Sequence, residues 1–272
     1  MTDFALRPYR PEDIPALAEL WRKTFGDGKH LIKEFFRLLP DMGIGVAAIA
    51  EGQVVGGAYA VTGLELLEAG KPPVMCGYIY AVAVDESCRG RGIGRALTLR
   101  AAELARRRGA ELICTLPAEA SLYPWYESIL GVRRALDRTV RPVKSEAAPC
   151  VRLSAEEYRL RRERLLEGRP HLRLSLPCLS FQQALCEEYG GGLFACGSGI
   201  AAAYTDGERS FIRELLCAGE AERARIAAAT GAALGVSEVL VYEPARPGEG
   251  TAYIAAPPGT VPTDCQWNLS FD

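Results

Sequence analysis

Tyr78-Ile79-Tyr80-Ala81-Val82-Ala83-Val84-Asp85-Glu86-Ser87-Cys88-Arg89-Gly90-Arg91-Gly92-Ile93-Gly94-Arg95 is the stretch on which the reading of the chain turns. Its first seven residues are apolar, β-branched or aromatic, the composition of a buried strand. Three glycines interleaved with arginines then read as a tight turn that opens a helix. Without a Cβ, glycine lets consecutive backbone N–H groups converge into a concave anion site. The helix start adds unpaired N–H donors and the positive end of a dipole. Arg89, Arg91 and Arg95 bring mobile positive charge to the same place. The combination suits a diphosphate.

Two common diphosphate motifs do not fit. A P-loop needs four residues between its glycines and then Lys-Ser/Thr, whereas this turn runs on as Gly94-Arg95-Ala96. A dinucleotide turn needs G-x-G-x-x-G and an acidic residue at the end of the next strand. Here the glycines are spaced G-x-G-x-G, and the next strand ends Thr115-Leu116-Pro117.

Working outward, the first half alternates strands and helices. The pattern predicts a strand over 4–7, a helix over 11–25 and a second helix over 29–39 that ends at Pro40. Strands follow over 45–50, 53–67 and 77–84, with Gly52 in the first turn. Past the glycine-arginine turn comes a helix over 94–108 with Leu97, Ala101, Leu104 and Ala105 on one face and Gly109 as its stop. A strand over 111–116, a short helix over 122–130 and an extended run over 132–143 complete the half.

The polar, small-residue stretch 144–150 reads as a linker between a domain over 1–143 and a second over 151–272. The second half repeats the grammar. Helices are expected over 156–166 and 180–189, a strand pair over 192–196 and 200–204 turning at Gly199, and a strand over 211–217. A helix to 233 and a strand over 238–242 finish it. From Val84 to Gly109 the first copy spans 25 positions, and from Cys217 to Gly235 the second spans 18. The shortfall is close to the length of the glycine-arginine turn, and the acidic Ala218-Gly219-Glu220-Ala221-Glu222 stands in its place. This reads as a duplication with one working site, convergent use of a common α/β pattern being the alternative.

Val82-Ala83-Val84-Asp85 followed by Arg89-Gly90-Arg91-Gly92-Ile93-Gly94 resembles the Q/R-x-x-G-x-G/A acetyl-coenzyme A motif of GNAT N-acetyltransferases, with Arg89, Gly92 and Gly94 in its fixed positions. The resemblance implies a mixed α/β fold, a mostly antiparallel twisted sheet flanked by helices, here in tandem with a degenerate second copy. It implies that backbone amides from Arg91 through Gly92, Ile93 and Gly94 to Arg95 grip the pyrophosphate, with Arg89 and Gly90 also in the cofactor site. It also implies that the strand Val82-Ala83-Val84 pairs with the pantetheine and polarises the thioester. Tyr126 matches the family's tyrosine that protonates the departing thiolate, although four residues separate it from Gly131 and Val132 replaces an aromatic. Tyr123 is the fallback, and packing alone is the bland account of either. Direct attack by an amine follows, with the base left unassigned. A non-catalytic acyl-coenzyme A sensor or scaffold is the competing function.

Composition bounds the partners. The chain has 272 residues and is 49% apolar, ample for packed cores. Residues 1–143 hold 19 Lys and Arg against 17 Asp and Glu, and the rest hold 13 against 17, so neither half invites nucleic acid. No apolar run reaches the length of a membrane span, and the first residues lack a secretory pattern, so a cytoplasmic chain without membrane partners is expected. Expected partners are a small-molecule or peptide amine, drawn by Glu65, Glu68, Glu119 or Glu127, with a homodimer left open. The nine cysteines include no C-x-x-C pair and read as free buried thiols, with no metal site.

Overall fold

The computed structural model describes residues 4–269 and 271. They form two compact units. The first comprises the chain up to Glu65, Val74–Arg134 and Ile254–Thr260, and the second comprises Leu66–Pro73, Ala135–Tyr253 and the chain from Val261 on.

In the first unit, β1 (Ala5–Pro8), β2 (Gly43–Ala50), β3 (Gln53–Leu67), β4 (Val74–Val84) and β5 (Leu112–Thr115) lie in that order across a sheet. β1 and β2 are antiparallel, as are β2 and β3, while β4 and β5 are parallel. A parallel neighbour needs a crossover, and α3 (Ile93–Arg107) supplies it. α3 buries Ile93, Leu97, Ala101 and Ala105. Its close approach to the sheet depends on glycine: a Cβ on Gly77 would stand 2.8 Å from that of Ala105. α1 (Ile14–Phe25) and α2 (Lys29–Met42) bury Leu17, Trp21, Leu31, Phe35 and Leu39. α2 passes through Pro40, where the sequence pattern places its end. In a last turn the proline sacrifices a single hydrogen bond, and the buried Leu39 and Met42 hold the turn in place. α4 (Tyr123–Leu130) closes the unit and is capped by Gly131 at φ +68°.

The second unit starts earlier than 144. β6 (Arg133–Lys144) pairs antiparallel with β12 (Glu238–Ala245) from Asp137↔Ala245 to Lys144↔Glu238, which assigns the run after Arg134 to this unit. Only 145–149 lie between β6 and β7 (Cys150–Arg152). α5 (Ala155–Leu166), β8 (His171–Leu174) and α6 (Leu176–Glu188) follow. Then β9 (Gly192–Cys196), β10 (Gly199–Asp206) and β11 (Arg209–Leu216) form an antiparallel run, and α7 (Glu220–Ala233) crosses over to β12, parallel to β11. Thus β9-β10-β11-β12 with α7 repeats the order of β2-β3-β4-β5 with α3. The β9–β10 turn is Gly197-Ser198, with Gly199 already paired to Cys196. It therefore immediately precedes the expected position and matches the two-residue Glu51-Gly52 turn between β2 and β3. The last strand, β13 (Thr251–Ala256), pairs Ala255 with Thr115 of β5.

The cysteine reading needs a correction. Cys150 and Cys196 form a disulfide, and the other seven cysteines are in no disulfide. The short β7 carries no sequence signal of its own, yet its antiparallel register with β9 sets these residues directly opposite, with Cα atoms 4.3 Å apart. A buried ion pair also organises this unit: fully buried Glu214 accepts from Arg162 Nε at 3.0 Å and from Tyr158 Oη at 2.9 Å. Among the described residues no helix is long and apolar enough to cross a membrane.

Candidate active site

The site begins where two parallel strands part. β4 and β5 are paired from Cys76↔Leu112 to Ile79↔Thr115. There β5 stops, while β4 continues to Val84. Ala81, just past the last pair, has φ +46°, a left-handed backbone that costs a non-glycine residue roughly 1–2 kcal/mol. Such an irregularity re-aims the strand and ends pairing. Beyond it Asp85 N–H donates to Val55 C=O of β3 at 2.9 Å. Because backbone groups alternate sides along a strand, Val84 and Val82 turn theirs to the side β5 has left. Val84 C=O does accept there, from Arg89 Nε at 3.3 Å. Ala83 is buried, and Val82 and Val84 pack against the α3 core.

The open edge leads into the glycine-arginine turn. A single 3-10 turn, Glu86–Cys88, is held by the Asp85 carboxylate, which accepts from Ser87 N–H at 3.0 Å. The Ser87 hydroxyl and N–H hold that carboxyl below the ordinary range. Gly90 and Gly92 have φ of +78° and +79°, and a Cβ on either would meet nothing within 4 Å. Their glycine requirement is therefore conformational. Gly94 has room for a methyl against Val84 and Trp125, at 3.7 and 3.8 Å. Ala96 N–H makes the bond to Gly92 C=O, so the N–H groups of Ile93, Gly94 and Arg95 have no intrahelical acceptor and point out of the helix start. Arg89, Arg91 and Arg95 are exposed around them. Arg89 reaches Glu86 at 3.4 Å, and Arg91 reaches Cys88 Sγ at 3.8 Å.

Tyr126 stands at the crotch of the fork. Its phenol is hydrogen-bonded to Thr115, the last residue of β5, and Thr115 Oγ1 donates to Ile79 C=O on β4 at 3.0 Å. Burial pushes the phenol up to about 12, so it keeps its proton at neutral pH. Trp125 packs edge-on against it at 4.7 Å, and Val132 and Ala255 complete its surroundings. Tyr123, one turn earlier, is half-buried. Thr115 and Ala81 are the residues the sequence reading misses, and neither carries a motif. Of the candidate acceptor carboxylates, Glu119 accepts from Ser121, Glu127 pairs with Arg133 at 3.1 Å and Glu68 with Lys71 at 2.8 Å.

The loop, the helix start and the fork lie within one segment that comparison with known proteins identifies. The model of the acetyltransferase (GNAT) family matches residues 14–132. These residues are a GNAT acetyltransferase domain. Among solved structures, the chain is similar to a GCN5-related N-acetyltransferase from Kribbella flavida, at a TM-score of 0.69 and 16% identity over 93% of this chain and 70% of that one. A probable N-acyltransferase from Enterococcus faecalis gives 0.69 and 14%, over 94% and 72%. Eis1 from Mycobacterium abscessus gives 0.62 and 15%, over 87% and 65%. At these identities the likeness is one of fold, and it reaches well past the GNAT domain into the second unit. No curated protein sequence matches the chain.

Proposed function

We propose that the chain is an N-acetyltransferase that moves the acetyl group of acetyl-coenzyme A to a primary amine. The observation that carries this reading is the open edge of β4, running from the fork at Ile79/Thr115 straight to the free N–H groups of α3. In this reading the diphosphate sits on the backbone from Arg89 to Arg95, with Gly90 and Gly92 supplying the curvature. The pantetheine arm lies along Val82 to Val84 as an added strand, its amides pairing with the groups β5 leaves unpaired. That register leads the thioester to the crotch, beside Tyr126.

The chemistry is then direct. A neutral amine attacks the carbonyl carbon, a backbone N–H of β4 supports the developing oxyanion, and the C–S bond breaks. Tyr126, protonated at working pH, places its O–H at the sulfur as thiolate charge develops. Water takes the proton of the new amide nitrogen. The second unit is read as a degenerate copy without a cofactor site. Between β11 and α7 it has only residues 217–219, where the GNAT domain has 85–92 between β4 and α3.

The test is a panel of amines of small-molecule, peptide N-terminal and polyamine type, scored for thiol release from acetyl-coenzyme A, with calorimetric titration of the cofactor alongside. One equivalent per chain and thiol release with at least one amine are expected. Binding without release above background across the panel would make the chain an acyl-coenzyme A sensor. Two equivalents per chain would overturn the single-site assignment.

A further inference from the structure

A groove of about 500 Å³ runs between α1 and α2. None of its lining residues belongs to the fork, the glycine-arginine turn or α4, so it is separate from the site proposed above. Its apolar floor is Ile14, Pro15 and Ala18 from α1 with Ile32 and Phe36 from α2. Its rim carries Arg22, Lys29, Lys33 and Arg37 against the single carboxylate of Glu19. Two of these cations are already matched: Arg22 pairs with Glu19 at 2.8 Å and Arg37 with Glu34 at 2.7 Å. Lys29 and Lys33 are exposed and make no salt bridge among the described residues.

The arrangement has a direction. Three residues, Gly26-Asp27-Gly28, join α1 to α2, so the end of α1 and the start of α2 are neighbours. Lys29 and Lys33 therefore lie at this end of the groove, beside the first turn of α2. Ile14 and Pro15, at the start of α1, lie at the far end opposite Phe36. One end carries two lysines outside any salt bridge, although the Glu34 carboxylate feels the charge of Lys33, and the floor beyond them is apolar. The volume falls within the range of about 300–1,000 Å³ typical of small-molecule sites. Ten lining residues are far fewer than the roughly 20–30 a side of a stable protein interface.

We infer that the α1/α2 groove binds a single-chain carboxylate amphiphile of the fatty-acid type. Its tail lies on Ile14, Ala18, Ile32 and Phe36, and its carboxylate meets Lys29 and Lys33. The site is independent of the acetyl-transfer reading, and it is tested by a binding readout.

Calorimetric titration of the full chain with octanoate, decanoate and dodecanoate, each below its micellar concentration, should give one equivalent. Affinity should tighten about three- to fourfold per added methylene, the value of a buried CH₂. Dodecanol and dodecylamine should bind at least about tenfold more weakly. The double charge reversal Lys29→Glu/Lys33→Glu should cost about tenfold or more, since each reversal trades an attraction for a repulsion at a partly exposed site. Ala18→Trp should abolish the chain-length dependence by filling the floor. Thermal melts and acetyl-coenzyme A affinity should match the parent in all these variants, because the altered side chains lie off the core; Lys29→Gln/Lys33→Gln gives an intermediate loss and guards against a folding defect. Equal binding of dodecanoate and dodecylamine, or dodecanoate binding indifferent to charge reversal, would overturn the inference. So would flotation with anionic vesicles in the absence of any free dodecanoate binding, or self-association that Ala18→Trp dissolves, which would assign the groove to a membrane or to a second copy.

Discussion

Gly92→Asp separates cofactor binding from folding. Gly92 precedes α3 at φ +79°, and a Cβ there meets nothing within 4 Å, so the substitution creates no clash. Leaving glycine in a left-handed conformation costs about 1 kcal/mol, with Asp among the residues that tolerate it best. An acidic side chain at a helix N-terminus returns about 0.3–1 kcal/mol. The two nearly cancel, and the melting temperature should move by no more than about 2–4 °C. Affinity has no such compensation. A carboxylate about 5 Å from a bound diphosphate, at an effective dielectric between about 20 and 80, opposes it by about 1–3 kcal/mol per charge. That corresponds to a loss of about five- to a hundredfold. Gly92→Asn is the control, with the same shape and backbone tolerance but no charge, and it should stay within about threefold of the parent. The assay is calorimetric titration with acetyl-coenzyme A, repeated at high salt, where the gap between the two variants should narrow. Asp and Asn variants that bind alike would refute the placement of the diphosphate at this turn.

Three further outcomes are expected. Tyr126→Phe should leave acetyl-coenzyme A affinity unchanged and lower turnover about a hundredfold, the usual worth of a positioned proton donor; undiminished turnover would reduce Tyr126 to a packing residue. Glu214→Ala should destabilise the fold by about 3–5 kcal/mol in urea unfolding, because it strands the buried Arg162 guanidinium and leaves the Tyr158 hydroxyl without its acceptor. A loss below about 1 kcal/mol would mean that water replaces the carboxylate. The Arg7 guanidinium holds the Asp13 carboxyl below its ordinary value, and Arg10 N–H adds to this. A depressed folded value stabilises above the unfolded pKa and is lost as pH falls through the folded one. Asp13→Asn should therefore lower the melting temperature at pH 7, with the gap to the parent closing below about pH 4; a gap constant with pH would contradict the pairing.

The element pattern of the GNAT domain was legible because its periodicities are strong. α3 shows its buried face as Leu97, Ala101 and Ala105, and Gly109 marks its end at the left-handed position that only glycine fills without strain. The glycine-arginine turn was legible for the same local reason: positive φ at Gly90 and Gly92 needs glycine wherever the turn is placed in space. The failures share a cause as well. β7 has three residues and β13 six, too short or too irregular for a period to register, and each exists because a distant strand pairs with it. The disulfide follows from one such pairing, since a sequence separation of 46 between Cys150 and Cys196 says nothing of β7–β9 register.

From the chain alone come the alternation of strands and helices, the repeated order in the second half and the lack of a glycine-arginine turn there. All three rest on near-neighbour rules of backbone geometry and apolar spacing, which operate within a few residues. Tertiary structure decided what required two distant segments to meet. It ended β5 at Thr115 while β4 ran on through the left-handed Ala81, and so opened a backbone edge that no local pattern marks. It brought the Tyr126 hydroxyl to Thr115, a contact between α4 and β5 that no local pattern specifies. It also gave the Arg134/Ala135 boundary, where β6 finds its hydrogen-bond partners on β12 about a hundred residues later, a pairing set by the free energy of satisfying buried backbone groups.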